Sequence, residues 1–326
     1  MVKITSAVPK SLFDTYTVTI PAAWDVTFIP REYTAESLAA ACAGASFLWL
    51  YSIQPLTAPM LQSLTTVKNV MLLGAGFDRV DLAAARAMHI TVSNNRGVNG
   101  DEVAEWAVGM MITGLRDYAR FDRERRTDGY RAAARRHAAG THHALHASKI
   151  GLVGMGSIGR GVAERLAGWG CEIYYHSRHR LPPDAEAATG VRYLPFDELL
   201  SSCDVISLHT PLTPETRHMI AAPQLALMKP TAYLVNTARG ELIDDEALAT
   251  ALENGKLLGA ALDVLSPEPP EADHPLLNLS PAAAARLTLS PHVGGTTAES
   301  YRKMLSGFIA QTKLVIAGQP LPNALN

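Results

Sequence analysis

Short apolar runs alternate with longer segments of helical period along almost the whole chain. Val26–Ile29, Phe47–Tyr51, Val70–Leu73 and Ile90–Val92 have strand length. Between the first two, Thr34–Cys42 has helical spacing with Thr34 placed as an N-cap, and Asp81–Met88 reads as a second helix. The rhythm restarts with a strand at Lys149–Val153, a helix at Ser157–Trp169 and a strand at Cys171–Tyr175. Val205–Leu208, Ala232–Val235, Leu258–Leu262 and Leu287–Leu289 continue this second set, and Ala298–Ile316 is a final helix expected to return to the first set. A β-then-α alternation builds parallel sheets covered by helices, so the fold class is α/β. The two sets predict two doubly wound domains, one from residues 1–98 plus 297–326 and one from residues 99–296.

Two segments depart from this rhythm. Asp101–Arg116 is apolar nearly all round, through Val103, Trp106, Val108, Met110, Met111, Ile112 and Leu115. A helix without a polar face is buried, inside the subunit or against a partner. Arg116–His146 is basic and His-rich and reads as a solvated helix and loop. His142, His143 and His146 have no acidic or cysteine companions at ligand spacing, so no metal site is expected.

Composition narrows the class. With 326 residues, 48% of them hydrophobic, the chain has material for two cores. A formal charge of −2 gives no reason to expect nucleic acid or an anionic membrane as partner. Cys42, Cys171 and Cys203 are scattered, which suits a reducing compartment rather than a disulfide framework. Met1–Phe13 lacks an apolar run of leader length and no long apolar stretch follows, so the expected location is the cytoplasm.

The strongest motif runs from Gly154 to Gly159, where Gly154, Gly156 and Gly159 stand in the pattern G-x-G-x-x-G directly between a strand and a helix. The first glycine permits a tight turn, the second lets a pyrophosphate approach the backbone, and the third allows close helix–strand packing. The N–H groups of Ser157 and Ile158 at the helix start then face the phosphates. An acidic residue after the next strand normally bonds the ribose 2′-hydroxyl of NAD. Here the chain reads His176, Ser177, Arg178, His179, Arg180. With Ser177 and the cations Arg178 and Arg180 in that place, the sequence favours NADP(H), with NAD(H) as the alternative.

Three later segments carry polar residues past strand ends: Asn236 to Gly240 with Arg239, Asp263 to Pro269 with Glu268, and Ser290 to Gly295 with His292. In open parallel sheets, ligands bind beyond the carboxyl ends of strands. An arginine, a carboxylate and an imidazole gathered there form a credible reaction site.

With these segments in place the chain resembles the D-2-hydroxyacid dehydrogenases over nearly its whole length. The matching segments are Gly74 to Asp78, the glycine fingerprint, Leu208 to Thr213, Met228 to Pro230, Asn236 to Gly240, Pro291 with His292, and the ending Pro322 to Asn326. The resemblance implies a Rossmann cofactor domain and a flavodoxin-like substrate domain with a cleft between them. It implies hydride transfer between a nicotinamide cofactor, NADPH on the reading of Ser177 and Arg178 above, and a small 2-oxo acid such as glyoxylate, hydroxypyruvate or pyruvate. Arg239 would bind the substrate carboxylate, His292 would be the general acid, and Glu268 would hold and charge His292. The N–H groups of Ala75 and Gly76 would also hold the carboxylate. Asp263 would orient the nicotinamide, Thr237 and Ala238 would line its pocket, and Thr210 and Pro211 would border the cofactor. The family pattern also implies a homodimer through Asp101–Arg116.

There are departures. Neither the tryptophan nor the proline that commonly precede the fingerprint stands between Asp128 and Lys149, and residues 278–289 run long, with Ala282–Ala285 inserted. Trp49, Leu50, Tyr51 and Ser52 correspond to a substrate-facing loop in the family, and their bulk suggests a small substrate. Rival readings are a cofactor-sensing binding protein of the same fold and a relative acting on another small anion such as phosphite. A formate-type enzyme would pair its histidine with Gln where Glu268 stands. A phosphoglycerate-type enzyme often carries an added regulatory domain, and none is expected after Asn326.

Overall fold

The computed structural model describes residues 1–127 and 142–326. The middle of the basic stretch 116–146, and with it most of residues 128–149, lies outside the described residues. The chain divides into two compact units, Met1–Asn99 with Thr296–Asn326, and Gly100–Gly295.

In the first unit β1 (Val2–Ser6), β2 (Trp24–Phe28), β3 (Phe47–Tyr51), β4 (Asn69–Leu73) and β5 (Thr91–Ser93) form a parallel sheet in the order β2-β1-β3-β4-β5. That is the flavodoxin-like order. Side chains alternate faces along a strand, and the alternation is plain in the core. Leu48, Leu50, Val70 and Leu72 enter one apolar cluster, while Phe47, Trp49, Met71 and Leu73 enter the other. A sheet buried on both faces has no polar stripe, which is why Phe47–Tyr51 reads as an unbroken apolar run. The final helix, Ala298–Ile316, does pack on this unit: Met304, Leu305, Phe308 and Ile309 join the cluster of Ile4, Trp49 and Met71. The Trp49 and Phe308 rings stack at 5.0 Å. Trp49 and Leu50 are thus fully buried core residues of β3 rather than part of a substrate-facing loop. Their bulk therefore says nothing about substrate size.

In the second unit β6 (Lys149–Val153), β7 (Glu172–His176), β8 (Arg192–Tyr193), β9 (Val205–Leu208), β10 (Tyr233–Asn236), β11 (Gly259–Leu262) and β12 (Leu287–Leu289) form a parallel sheet. Its order is β12-β11-β10-β9-β6-β7-β8. This is the Rossmann order, which reverses between β6 and β9 and leaves a crevice beyond their carboxyl ends. Leu234, Ala260 and Leu262 face one apolar cluster; Val235 and Ala261 face the other.

The apolar helix, Gly100–Leu115, explains most of its own character. Ala104, Ala107 and Met111 are fully buried in the cluster that also holds Val162, Tyr233 and Val235. A Cβ on Gly161 would stand 3.1 Å from the Ala104 methyl, so this helix and Ser157–Leu166 pack closely. Exposed positions run along a narrow strip through Glu105, Trp106 and Gly109, with Ile112 and Thr113 half-buried beyond them. Among the described residues no helix is long and apolar enough to cross a membrane, and no group of three or more His, Cys, Asp or Glu side chains is arranged to hold a metal ion.

Candidate active site

The ends of β10, β11 and β12 lie side by side, so Arg239, Glu268 and His292 are brought to one edge of the second unit's sheet. His292 Nδ1 is 2.7 Å from Glu268 Oε2, and Glu268 Oε1 accepts the Leu265 N–H at 3.2 Å. Both carboxylate oxygens are therefore used. Burial pushes the Glu268 carboxyl up, but the His292 hydrogen bond and charge, the Leu265 N–H and the Arg239 charge outweigh it and hold the group below its ordinary value. A carboxylate that stays ionised beside Nδ1 holds the imidazole with Nε2 outward.

Arg239 sits in a turn braced by Asn236. The fully buried Asn236 side chain accepts from Ala238 N–H at 3.0 Å and donates to the Arg239 carbonyl at 2.8 Å. Arg239 Nη1 donates to the Ala238 carbonyl at 2.6 Å. The next residue, Gly240, lets the Glu268 loop come close, since a Cβ there would stand 2.2 Å from the Leu265 carbonyl carbon.

Asp263 does something the sequence did not reveal. It is 3% exposed, and its oxygens accept from Ser290 Oγ, from Val293 N–H at 3.0 Å and from Gly294 N–H at 2.8 Å. Its backbone carbonyl accepts the His292 N–H at 2.7 Å. His292 itself has φ +54°, a left-handed conformation unusual for a residue other than glycine. Asp263 thus clamps the loop on both sides of the imidazole and holds that conformation in place. The carboxylate expected to orient the nicotinamide is spent first on the loop carrying His292.

The glycine turn lies at the other side of the crevice. Gly154 has φ +103°, and a Cβ there would stand 2.5 Å from the His209 carbonyl oxygen. A Cβ on Gly159 would stand 2.1 Å from the Gly154 oxygen. Gly156 is different: its φ is −74°, and among the described residues nothing lies within 4 Å of where its Cβ would be, so the space beside the turn is open. The N-cap of Ser157–Leu166 is Gly156, which has no side chain to cap the helix. Thr237 Oγ1, at the end of β10, is buried without a partner among the described residues. A cradle, uncapped N–H groups and an orphaned hydroxyl fit a dinucleotide. Thr210 and Pro211 follow β9 beside this turn, and Ala238 follows Thr237.

After β7 the expected phosphate contacts divide. Ser177 Oγ donates to the His179 carbonyl. Arg180 is held by both oxygens of Glu186, at 2.8 and 2.9 Å, because the helix Pro183–Thr189 places that carboxylate beside it. Tyr175 OH donates to the same Glu186 at 2.6 Å. Arg178 is exposed, with Glu215 close enough to feel its charge. In the first unit, Ala75 and Gly76 lie on the loop after β4, where Asn94 Nδ2 donates to the Ala75 carbonyl at 2.6 Å.

Known proteins carry the same frame. Residues 108–294 match the family model described as D-isomer specific 2-hydroxyacid dehydrogenase, NAD binding domain. A glyoxylate reductase from Thermococcus litoralis is 35% identical over 274 residues, covering 82% of this chain and 79% of that protein. A D-3-phosphoglycerate dehydrogenase from Mycobacterium leprae is 34% identical over 289 residues, 89% of this chain but 52% of the longer relative. Among solved structures, the apo D-lactate dehydrogenase of Escherichia coli superposes with a TM-score of 0.82 at 26% identity, covering 100% of both chains. A Granulicella formate dehydrogenase superposes with a TM-score of 0.84 at 28% identity, covering 98% of this chain and 82% of that one. A nicotinamide-type cradle, a paired imidazole and carboxylate, and this family match agree: the chain belongs to the D-isomer specific 2-hydroxyacid dehydrogenases, oxidoreductases that act on CH–OH donors.

Proposed function

We propose that this protein reduces a small 2-oxo acid, of the size of glyoxylate or hydroxypyruvate, to its 2-hydroxy acid with NADPH. The observation that carries the reading is the 2.7 Å His292–Glu268 pair on the same sheet edge as Arg239. The glyoxylate reductase named above supports the choice of substrate class.

When bound, the dinucleotide supplies a hydride to C2 of the substrate. His292, protonated and held by Glu268, donates its Nε2 proton to the carbonyl oxygen. In the reverse direction the neutral imidazole takes that proton back. Arg239 binds the substrate carboxylate through its planar fork and polarises the 2-oxo group. Asp263 and Thr237 face the nicotinamide side, while Gly154, Gly156, Ser157, Ile158 and Gly159 take the phosphates. Arg178 is the cation proposed for a 2′-phosphate, since Arg180 is already engaged by Glu186. We also propose a homodimer through the exposed strip of Gly100–Leu115 that carries Trp106.

The test is a panel of 2-oxo acids with NADPH and with NADH, read as loss of reduced cofactor absorbance. Efficient turnover of glyoxylate or hydroxypyruvate with NADPH is the expected result. Turnover confined to another anion, or none on any 2-oxo acid, would overturn the proposal.

A further inference from the structure

The crevice holds an imidazole that the mechanism above does not use. His209 follows β9 directly, at the point where the strand order reverses, and is 9% exposed. Its N–H donates to the Val153 carbonyl at 2.7 Å, and its own carbonyl stands against Gly154. The ring is therefore anchored beside the glycine turn. Its Nε2 is 2.9 Å from Ser207 Oγ, while its Nδ1 is buried with no hydrogen-bond partner among the described residues.

The tautomer follows from counting donors. Ser207 is fully buried, and the imidazole is the one partner its hydroxyl has among the described residues. A buried hydroxyl proton must be donated somewhere. It goes to Nε2, so Nε2 is the acceptor and the ring proton sits on Nδ1. Burial also pulls the imidazole down to about 4, which keeps it neutral near physiological pH. The result is a neutral N–H donor at a strand end with no acceptor among the described residues. Its neighbour is the other orphan of this region: Leu208 pairs in register with Asn236, so His209 and Thr237 are adjacent one residue further on. Native proteins seldom bury a donor with nothing to accept its proton, and two such groups side by side call for a ligand.

We infer that His209 donates its Nδ1–H to an oxygen of the nicotinamide half of the bound dinucleotide, with Ser207 fixing the tautomer and Thr237 as its neighbouring contact. This rests on the glycine turn being the cofactor site. The neutral donor suits an uncharged oxygen, and its place between the glycine turn and Thr237 puts it away from the adenosine end.

The test exploits the geometry of amides. Asn carries its Nδ2 where His carries Nδ1, whereas Gln carries its Nε2 where His carries Nε2. Dissociation constants for NADPH and for adenosine 2′,5′-bisphosphate, read by fluorescence titration, are compared for His209→Asn, His209→Gln, His209→Leu and Gly159→Ala. Ser207→Ala/His209→Asn, which leaves no stranded hydroxyl, guards against a folding defect, and thermal melts monitor all variants. The expected pattern is NADPH binding close to wild type in the Asn variants and about tenfold weaker in Gln and Leu. Adenosine 2′,5′-bisphosphate should bind the His209 variants equally. In the wild type, 15N spectra of labelled histidine should show the proton on Nδ1 with and without NADPH. If Gly159→Ala abolishes binding of both ligands while all His209 variants bind NADPH alike, the role of His209 is wrong and the site stands. Uniform weakening in Asn, Gln and Leu also overturns it, since packing alone would do that. If Gly159→Ala leaves NADPH binding intact, the cofactor site itself is misplaced and the inference falls with it.

Discussion

Glu268→Gln is the sharpest probe of the proposed acid. The carboxylate spends both oxygens, one on Leu265 N–H and one on His292 Nδ1. A Gln amide has one acceptor oxygen, so its NH2 must oppose one of those two donors. Either way, the imidazolium loses its anionic partner. A charge-assisted hydrogen bond contributes about 1.5–3 kcal/mol when well shielded. The His292 and Glu268 side chains are 38% and 30% exposed, so solvent screens the pair, and about 1 kcal/mol is the appropriate size. Loss of that partner disfavours the positively charged ring by a factor of about five. Reduction needs the protonated ring, so its kcat/KM should begin to fall at lower pH than in the wild type. Oxidation of the hydroxy acid needs the neutral ring, so its rising limb should move the same way and activity at low pH should improve relative to wild type. The assay is a pair of pH–rate profiles, one in each direction, at fixed ionic strength. A variant whose two profiles overlay those of the wild type would mean that Glu268 does not govern the proton on His292.

The same geometry sets other outcomes. His292→Ala should bind NADPH normally and lose roughly two to four orders of magnitude in reduction rate, measured in stopped-flow single turnovers. Arg178→Ala should raise KM for NADPH about tenfold or more and leave that for NADH nearly unchanged, a screened contact that should weaken as salt rises. The Arg180 and Tyr175 hydrogen bonds hold Glu186 down to about 2 from an ordinary 4.5. A carboxyl lowered in the folded state stabilises above its unfolded value and ceases to do so as pH falls towards its folded one. Glu186→Gln should therefore flatten the dependence of Tm on pH between those two values, by calorimetry. Trp106→Glu should shift the sedimentation coefficient towards monomer if the exposed strip forms the dimer. Met111, fully buried in the subunit's own core, is unsuitable for that experiment, because a charge there would unfold the protein.

Parallel strands with unbroken apolar runs were the most legible elements. The buried strands Phe47–Tyr51, Lys149–Val153 and Val205–Leu208, and the edge strand Leu287–Leu289, have the bounds their apolar runs suggest. Helix starts were legible where a side chain does the capping: Thr34 accepts from Ser37 N–H and Asp81 from Ala84 N–H. Val2–Ser6 escaped notice because Lys3 and Thr5 interrupt its apolar positions, and Arg192–Tyr193 because two residues carry no period. At the site, residue types gave the candidates, but pairing needed the fold. Nothing between Arg180 and Glu186 announces that the two will meet, since a helix start decides it. Asp263 and His209 present the same difficulty. Each reads simply as a polar residue after a strand, and only the returning loop and the buried Ser207 hydroxyl define what each can do.

The connectivity has a consequence for how the chain is made. Gly100–Gly295 is one uninterrupted length, whereas the first unit is assembled from Met1–Asn99 and Thr296–Asn326. Trp49 therefore leaves the ribosome long before Phe308, the ring it stacks on. During synthesis the inserted unit has everything it needs to fold, while the earlier half-unit waits with one face of its sheet only partly covered, by Phe13 and its helix. The cover is completed only when the helix Ala298–Ile316 emerges. Translation pausing or truncation near the C-terminus should thus expose Ile4, Trp49 and Met71 together, making the newborn chain a client for chaperones at a moment when its Rossmann half is already finished.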